Sequence, residues 1–324
     1  MKFPRRYSLV LTQYCTGGCD YCVQEIERKN IKDTREQLER ILSYVRIFIS
    51  NIKKDFEKLN TCYSLSVSLM GGELLDAPEW FQEKLGPLIQ ELSGYMTIYF
   101  FTNGQKLKNS VLHSYFKPLE DTGKLYYIIH LIHWDKHPYS YWLRTYSSFL
   151  KLSSFSFTLV IRHEEVMIFN DWVKRIVQTP QNVYAFANMA VSHKEIPTFF
   201  KDICSLLGHK TNVPLSTWDL PFALKKYLCR MSVQHGSGNI CAIDVSCPHT
   251  TYICCGNTTK AGTLKTYTEE ERLNPLINCF ISDMPKDYCS ECNNALHFPA
   301  EFLYERNCMY EIPRLFEKIE MTNW

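Results

Sequence analysis

The sequence lacks several features that would place it in a special class of protein. Its 324 residues contain no low-complexity tract and no apolar run close to the roughly 20 residues of a membrane helix. Because the N-terminus also lacks the apolar segment of a signal peptide, we expect a cytoplasmic protein with no membrane partner. A net charge of only +2 provides no overall basic field for nucleic acid. The overall charge does not exclude a local basic groove, and with it a nucleic-acid substrate.

Composition is otherwise that of a globular protein, with 45% apolar and 22% charged residues. The exception is cysteine, which occurs 14 times. In a reducing compartment, so many cysteines favour metal or redox chemistry over disulfide bonds. They are unevenly placed, because three lie between residues 15 and 22 and nine lie from Cys229 onward.

Runs of β-branched and aromatic residues predict strands in the first two thirds of the chain. These runs cover residues 7–12, 65–70, 96–101, 126–132, 155–161 and 183–189. From the second run on they begin about every 30 residues, which is the length of a βα unit.

Helical patterns fill the intervals between the runs. A capping-box signature at Thr34–Gln37 begins a long helix with one apolar face that continues to Phe56. A second helix is predicted at 169–177. The sequence therefore predicts an α/β fold with an open, partial (βα)6 TIM-like barrel over residues 1–215. A small Cys-rich α+β extension over 216–324, with a β-hairpin between residues 239 and 254, is expected to follow.

The first cysteine cluster directly follows the first predicted strand. Cys15, Cys19 and Cys22 have the spacing C-x3-C-x2-C, Tyr21 places an aromatic ring beside the third, and two glycines let the loop curl tightly. Three thiolates can hold three irons of a [4Fe–4S] cluster and leave the fourth iron open. A zinc site is the alternative, although zinc prefers four ligands in paired C-x2-C knuckles.

This motif, placed after the first strand of a partial barrel, resembles that of the radical S-adenosylmethionine (radical SAM) superfamily. The resemblance implies a [4Fe–4S] cluster on Cys15, Cys19 and Cys22 that binds and cleaves SAM, with Tyr21 near the cofactor.

Two further motifs follow the next two predicted strands. Gly71-Gly72-Glu73 is similar to a superfamily motif that binds the amino group of SAM, and its alternative is a simple turn into a helix. Thr102-Asn103-Gly104 is similar to a third strand end of the superfamily, where Thr102 and Asn103 would bind SAM; Asn-Gly is also a common turn. After the fourth and fifth runs, His133, Asp135 and Arg162 are candidate substrate or SAM-carboxylate contacts, with plain surface residues as the alternative.

The C-terminal cysteines resemble the SPASM and twitch extensions of radical SAM enzymes. This resemblance implies one auxiliary [4Fe–4S] cluster, ligated by Cys229, Cys254, Cys289 and Cys292, with Cys247 or Cys255 as substitutes for Cys254. Two auxiliary clusters, a structural zinc ion or buried thiols are the alternatives.

Together these resemblances imply an enzyme that cleaves SAM to a 5′-deoxyadenosyl radical, with an electron from a reductase or flavodoxin-type donor. The expected substrate is a small molecule or a nucleoside-like group, which includes a hypermodified thymine of phage DNA. A peptide (RiPP) maturase is the alternative within the superfamily, although the position of Cys15 near the N-terminus leads us to expect no preceding peptide-recognition domain. A non-catalytic zinc or Fe–S binding protein is the alternative of another class.

Overall fold

The computed structural model describes residues 3–12, 14–19, 33–161, 165–176 and 183–187, and the short segments 212–215, 242–244, 251–252 and 296–299. The chain divides into two compact units, one of residues 1–130 and 234–284 and one of residues 131–233 and 285–324. The predicted domain boundary between residues 215 and 216 stays a prediction, because most of the chain after it lies outside the described residues. Among the described helices, none is long and apolar enough to cross a membrane.

Strands and helices alternate through most of the described chain. In order, the elements are β1 (Phe3–Val10), α1 (Arg35–Cys62), β2 (Tyr63–Met70), α2 (Glu79–Ser93), β3 (Thr97–Thr102), α3 (Val111–Asp121), β4 (Leu125–His130), α4 (Tyr139–Ser147), β5 (Phe155–Ile161), α5 (Val166–Ile176), β6 (Val183–Ala187), β7 (Asn212–Leu215), β8 (Ala242–Asp244), β9 (Thr251–Tyr252) and β10 (Leu296–Pro299).

The first unit contains a sheet in which β1, β2, β3 and β4 lie side by side in chain order and run parallel. Their carboxyl ends therefore meet at one edge of the sheet, where Val10 lies opposite Met70 and Thr102 opposite Ile129. On the far side of β1, β8 pairs in parallel with it, and β9 pairs antiparallel with β8. The β8–β9 pair is the hairpin that the sequence predicts between residues 239 and 254.

Helix α1 begins as its sequence predicts. The Thr34 N–H donates to Gln37 Oε1 at 2.6 Å, and the Gln37 N–H donates to Thr34 Oγ1 at 3.2 Å. This reciprocal pair is a capping box, which satisfies donors that have no partner within the helix. The apolar face of the helix is buried from Leu38 to Ile52, and Tyr7 of β1 packs edge-on against Phe48 with ring centroids 5.5 Å apart.

The two faces of this sheet differ in burial. On β3, Ile98, Phe100 and Thr102 are buried, whereas the residues between them stay partly exposed. On the buried face, Phe100 packs against Phe116 of α3 with centroids 5.0 Å apart. On the opposite face, Tyr99 packs against Tyr126 of β4 at 5.9 Å, and both are only half-buried. The helices thus cover one face and leave an aromatic face less covered, as expected for an open barrel.

The second unit has its own core. Strands β5 and β6 pair in parallel, and β7 pairs antiparallel with β10. Trp134 lies in a 3-10 turn, contacts Trp172 of α5 with centroids 5.1 Å apart, and donates its indole N–H to the Val160 carbonyl at 2.8 Å. Tyr139 of α4 contacts both Trp172 and Phe157 of β5, so an aromatic cluster packs α4, α5 and β5 together.

The predicted α/β fold with the βα alternation of a partial barrel is confirmed. All six predicted strands are present, and β5 has the predicted bounds, whereas β1 begins at Phe3 rather than at residue 7. Helix α5 corresponds to the helix predicted at 169–177. Helices α2, α3 and α4 were not delimited from the sequence. Apart from the short strands, the C-terminal extension lies outside the described residues.

Candidate active site at the carboxyl ends of three strands

The cysteine loop leaves β1 through a buried polar junction. The Thr12 hydroxyl donates to Asp33 Oδ2 at 2.7 Å and accepts from the Tyr14 N–H at 3.0 Å. The Tyr14 hydroxyl in turn donates to the Asp33 carbonyl at 3.3 Å. Because Thr12 is 0% and Asp33 only 6% exposed, the bond between them is shielded from water. The start of the loop is therefore fixed by the residue that precedes the capping Thr34 of α1.

Two of the three predicted cluster ligands are described. Cys15 and Cys19 are half-buried and form no disulfide bond. Cys22 and Tyr21 lie outside the described residues. Within the described chain, no three His, Cys, Asp or Glu side chains come together to hold a metal ion. Ligation of a cluster by three thiolates thus stays a prediction. Two of the three thiols, those of Cys15 and Cys19, lie on the expected loop.

The Gly71-Gly72 turn joins the end of β2 to the cysteine loop. The Gly72 N–H donates to the Thr12 carbonyl at 2.7 Å, and the Glu73 N–H donates to the Tyr14 carbonyl at 2.5 Å. Gly71 has φ of +134°, and a Cβ atom added to it would lie 2.5 Å from the Thr12 carbonyl oxygen. Only glycine combines that backbone conformation with so close an approach of two chains. The motif therefore has a packing requirement independent of any ligand.

The Glu73 carboxylate connects the β2 turn to the end of β3. Its Oε1 accepts from the Thr102 hydroxyl at 2.9 Å and from the Leu75 N–H at 3.2 Å, and its Oε2 accepts from the Asn103 N–H at 2.6 Å. The residue is 3% exposed. Burial raises the pKa of Glu73 to about 7, against the lowering effect of these three hydrogen bonds. The buried side chain thus holds the turn after β2 against the end of β3.

The Thr102-Asn103-Gly104 segment is a turn held by its own side chains. The Thr102 hydroxyl, besides donating to Glu73, accepts from the Gly104 N–H at 3.0 Å. Asn103 Oδ1 accepts from the Gln105 N–H at 2.9 Å, and Gly104 has φ of +73°. The turn interpretation of this motif therefore describes its conformation, while binding of SAM by Thr102 and Asn103 stays a prediction.

Asp76 makes a second connection to the cysteine loop, three residues after Glu73. Its Oδ2 accepts from both the N–H and the hydroxyl of Thr16, each at 2.7 Å. Its Oδ1 lies 2.7 Å from the Lys106 ammonium, and its side chain is 2% exposed. Burial raises the pKa of Asp76, but hydrogen bonds from Lys106 and Thr16 outweigh it and hold the pKa below its usual value. An ionised carboxylate therefore lies directly under the cysteine loop.

The predicted substrate contacts lie in the second unit. His133 is exposed in a left-handed conformation with φ of +54°, and Asp135 is exposed in the following 3-10 turn. Arg162 lies outside the described residues, so the roles of all three stay predictions. At the end of β4, burial lowers the pKa of His130 to about 4, which makes its imidazole neutral at pH 7.

The predicted ligands of an auxiliary cluster lie outside the described residues. They are Cys229, Cys254, Cys289 and Cys292, with the substitutes Cys247 and Cys255. The auxiliary cluster therefore stays a prediction.

Several residues of the site were not found from the sequence. Thr12 and Asp33 are 21 residues apart, and Thr16 and Asp76 are 60 residues apart. None is one of the residues that define a motif, and their contacts form only when the chain folds. The one local signal was position, because Thr12 is the last residue of the first predicted strand and Asp76 lies in the segment after the second.

Comparison with known proteins adds little to this geometry. No protein-family model matches the chain. No curated protein matches it. Among solved structures it is similar to coproporphyrinogen III oxidase (HemN) from Escherichia coli, which is described as a radical SAM enzyme. The two are 9% identical, the similarity covers 73% of this chain and 59% of that one, and the TM-score is 0.28. Such a score does not establish a common fold.

Proposed function

We propose that this chain is a radical SAM enzyme that acts on a small-molecule or nucleoside-like substrate. The observation that carries the proposal is the junction at Glu73. Its N–H binds the cysteine loop after β1, and its carboxylate binds Thr102 and Asn103 after β3. Three motif-bearing segments thus meet at the carboxyl ends of adjacent parallel strands, where enzymes of α/β folds place their active sites.

The described cysteines suit a [4Fe–4S] cluster. Cys15 and Cys19 are half-buried rather than enclosed in the core, and neither is used in a disulfide. Thiolates are the ligands of such clusters, and Cys22 would be the third. When bound, the cluster would supply one electron that cleaves SAM to methionine and a 5′-deoxyadenosyl radical, which removes hydrogen from the substrate.

The residues of the chain would position the cofactor rather than react. Glu73 already accepts three hydrogen bonds, and a carboxylate offers about four acceptor sites. One acceptor site would remain for the ammonium group of SAM, so the same side chain would hold the loops and help to orient the ligand. The neutral imidazole of His130, at the end of β4, would add a polar but uncharged group at the same edge.

The remaining parts of the proposal concern the C-terminal third. Cys229, Cys254, Cys289 and Cys292 would hold an auxiliary [4Fe–4S] cluster, and the external electron would come from a reductase or flavodoxin-type donor. A peptide substrate is the alternative within the same chemistry.

The proposal is tested by counting iron and following SAM. The full chain is purified without oxygen, reconstituted with iron and sulfide, and given SAM and dithionite. We expect about eight irons per chain and formation of 5′-deoxyadenosine; about four would remove the auxiliary cluster, and about twelve would indicate two auxiliary clusters. Cys15→Ala should lose SAM cleavage, whereas Cys62→Ala, at the end of α1, should retain it. Stoichiometric zinc without iron or SAM cleavage would refute the proposal and favour a zinc-binding protein.

A further inference from the structure

Within the part of the chain that the structure describes, Asp76 binds the interior of the cysteine loop. Thr16 directly follows Cys15, and both of its hydrogen-bond donors, the N–H and the hydroxyl, bind Asp76 Oδ2 at 2.7 Å. The Glu73 N–H and the Thr12 hydroxyl hold only residues before Cys15. Asp76 therefore acts on the segment between the first two predicted ligands.

The surroundings of Asp76 make this contact strong. Its side chain is 2% exposed although Thr16 is at the surface, so its end of the contact is shielded from water. Hydrogen bonds to an ionised acceptor are shorter and stronger than neutral ones. Lys106, in the segment after β3, lies 2.7 Å from the other carboxylate oxygen and compensates its charge. A buried carboxylate without such a cation would be costly.

We propose that Asp76 is a positioning residue that fixes the cysteine loop in its ligand-binding form before any metal arrives. The paired contacts to Thr16 restrict the residue beside Cys15, and Lys106 ties the same carboxylate to the end of β3. The cysteine, Gly-Gly-Glu and Thr-Asn-Gly segments are thereby set in one arrangement without a ligand. That this form of the loop binds a metal cluster rests on the proposed function, whereas the restriction of the loop does not.

The test uses the full chain in its metal-free, reduced form. Hydrogen–deuterium exchange of residues 14–19 and iodoacetamide labelling of Cys15 and Cys19 report on the loop. In Asp76→Ala we expect exchange at the Thr16 amide to rise about tenfold or more, the equivalent of one lost hydrogen bond to a charged group. Exchange in α1 and β2 should remain at the wild-type level. Equal acceleration throughout the first unit would show a general stabilising role and overturn the proposal.

Finer variants keep the test valid if Asp76→Ala folds poorly. Thr16→Val removes only the hydroxyl donor at the surface and should raise loop exchange less than Asp76→Ala, while Thr16→Ser should restore wild-type values. Asp76→Asn keeps an acceptor oxygen and should partly restore protection. The control is Glu91→Ala, which breaks an exposed carboxylate–lysine contact of 2.6 Å to Lys53 that is far along the sequence from the loop. The proposal would be contradicted if, in Thr16→Val, the loop exchanged hydrogen and reacted with iodoacetamide at the wild-type rates.

Iron loading separates this inference from the proposed function. If Asp76→Ala loosens the metal-free loop but the wild type binds no iron, the proposed function fails and the positioning role stands. If the wild type binds iron and the loop of Asp76→Ala stays as protected as that of the wild type, the positioning role alone fails. Where both hold, iron in reconstituted Asp76→Ala should be lost to a chelator faster than iron in Glu91→Ala.

Discussion

Replacement of Gly71 by alanine tests the junction between β2 and the cysteine loop most directly. Two penalties apply, because Gly71 has φ of +134° and its Cβ would lie 2.5 Å from the Thr12 carbonyl oxygen. A non-glycine residue in such a backbone region costs about 1–3 kcal/mol. Forcing an extra methyl into a packed site costs about 1–3 kcal/mol more. We therefore expect Gly71→Ala to lower the free energy of unfolding by about 2–6 kcal/mol, a large part of the 5–15 kcal/mol typical of proteins.

Two other glycines separate these penalties. Gly123 has φ of +67° but nothing within 4 Å of an added Cβ, so Gly123→Ala should show the backbone cost alone, about 1–2 kcal/mol. Gly18 has no positive φ and open space around it, so Gly18→Ala should leave the stability of the metal-free protein nearly unchanged.

The assay is urea unfolding of the metal-free, reduced chain, followed by tryptophan fluorescence and circular dichroism. We expect stability to decrease in the order Gly18→Ala, Gly123→Ala, Gly71→Ala. Because the contact at Gly71 is with backbone, no side-chain rotation can relieve it, and the Gly72 and Glu73 hydrogen bonds to the cysteine loop should be lost with it. A Gly71→Ala variant no less stable than Gly123→Ala would refute the close approach of these two chains.

Two further predictions concern buried carboxylates. The pKa of Glu73 is raised to about 7 in the folded protein from 4.5, so its contribution to stability is largest below pH 4.5 and is lost as the pH rises toward 7. The stability difference between wild type and Glu73→Gln should therefore shift against the wild type by about 2–3 kcal/mol from pH 5 to 7 in urea titrations, and a pH-independent difference would contradict the raised pKa. At Glu120, Oε1 accepts from the Tyr127 hydroxyl at 2.7 Å in a buried contact. Tyr127→Phe should lower the free energy of unfolding by about 1.5–3 kcal/mol in the same assay, whereas a loss below 0.5 kcal/mol would show that Lys117 suffices for Glu120.

The fold was predictable where burial leaves a simple pattern in the sequence. Buried parallel strands are rich in apolar residues, and α1 combines a capping box with a long apolar face. Helices α2 and α3 were harder to delimit because each contains an internal proline, Pro87 and Pro118, which ordinarily ends a helix. The first four residues of β1 include a proline and two arginines, and their strand conformation comes from pairing with β2 rather than from local preference.

The site was predictable only in its motifs. Cysteine and glycine patterns are local and stand out in a sequence, so the segments after β1, β2 and β3 were found. The contacts that join them were not, because Thr16 and Asp76 are 60 residues apart and neither stands out by itself. For Glu73 the sequence predicts only a contact to SAM. In the structure its carboxylate also accepts hydrogen bonds from Thr102, Asn103 and Leu75.

The position of β2 explains why both connecting carboxylates belong to the turn that follows it. Neighbouring strands lie about 4.8 Å apart, so the ends of β1 and β3 are separated by about 10 Å, too far for most side chains to bridge. A turn on the strand between them can reach both. Glu73 turns its carboxylate toward β3 and its N–H toward the cysteine loop, and Asp76 binds Thr16 on one side and Lys106 on the other. A substitution in this turn should therefore disturb the cysteine loop and the β3 segment together, whereas one in either outer loop should leave the opposite loop in place.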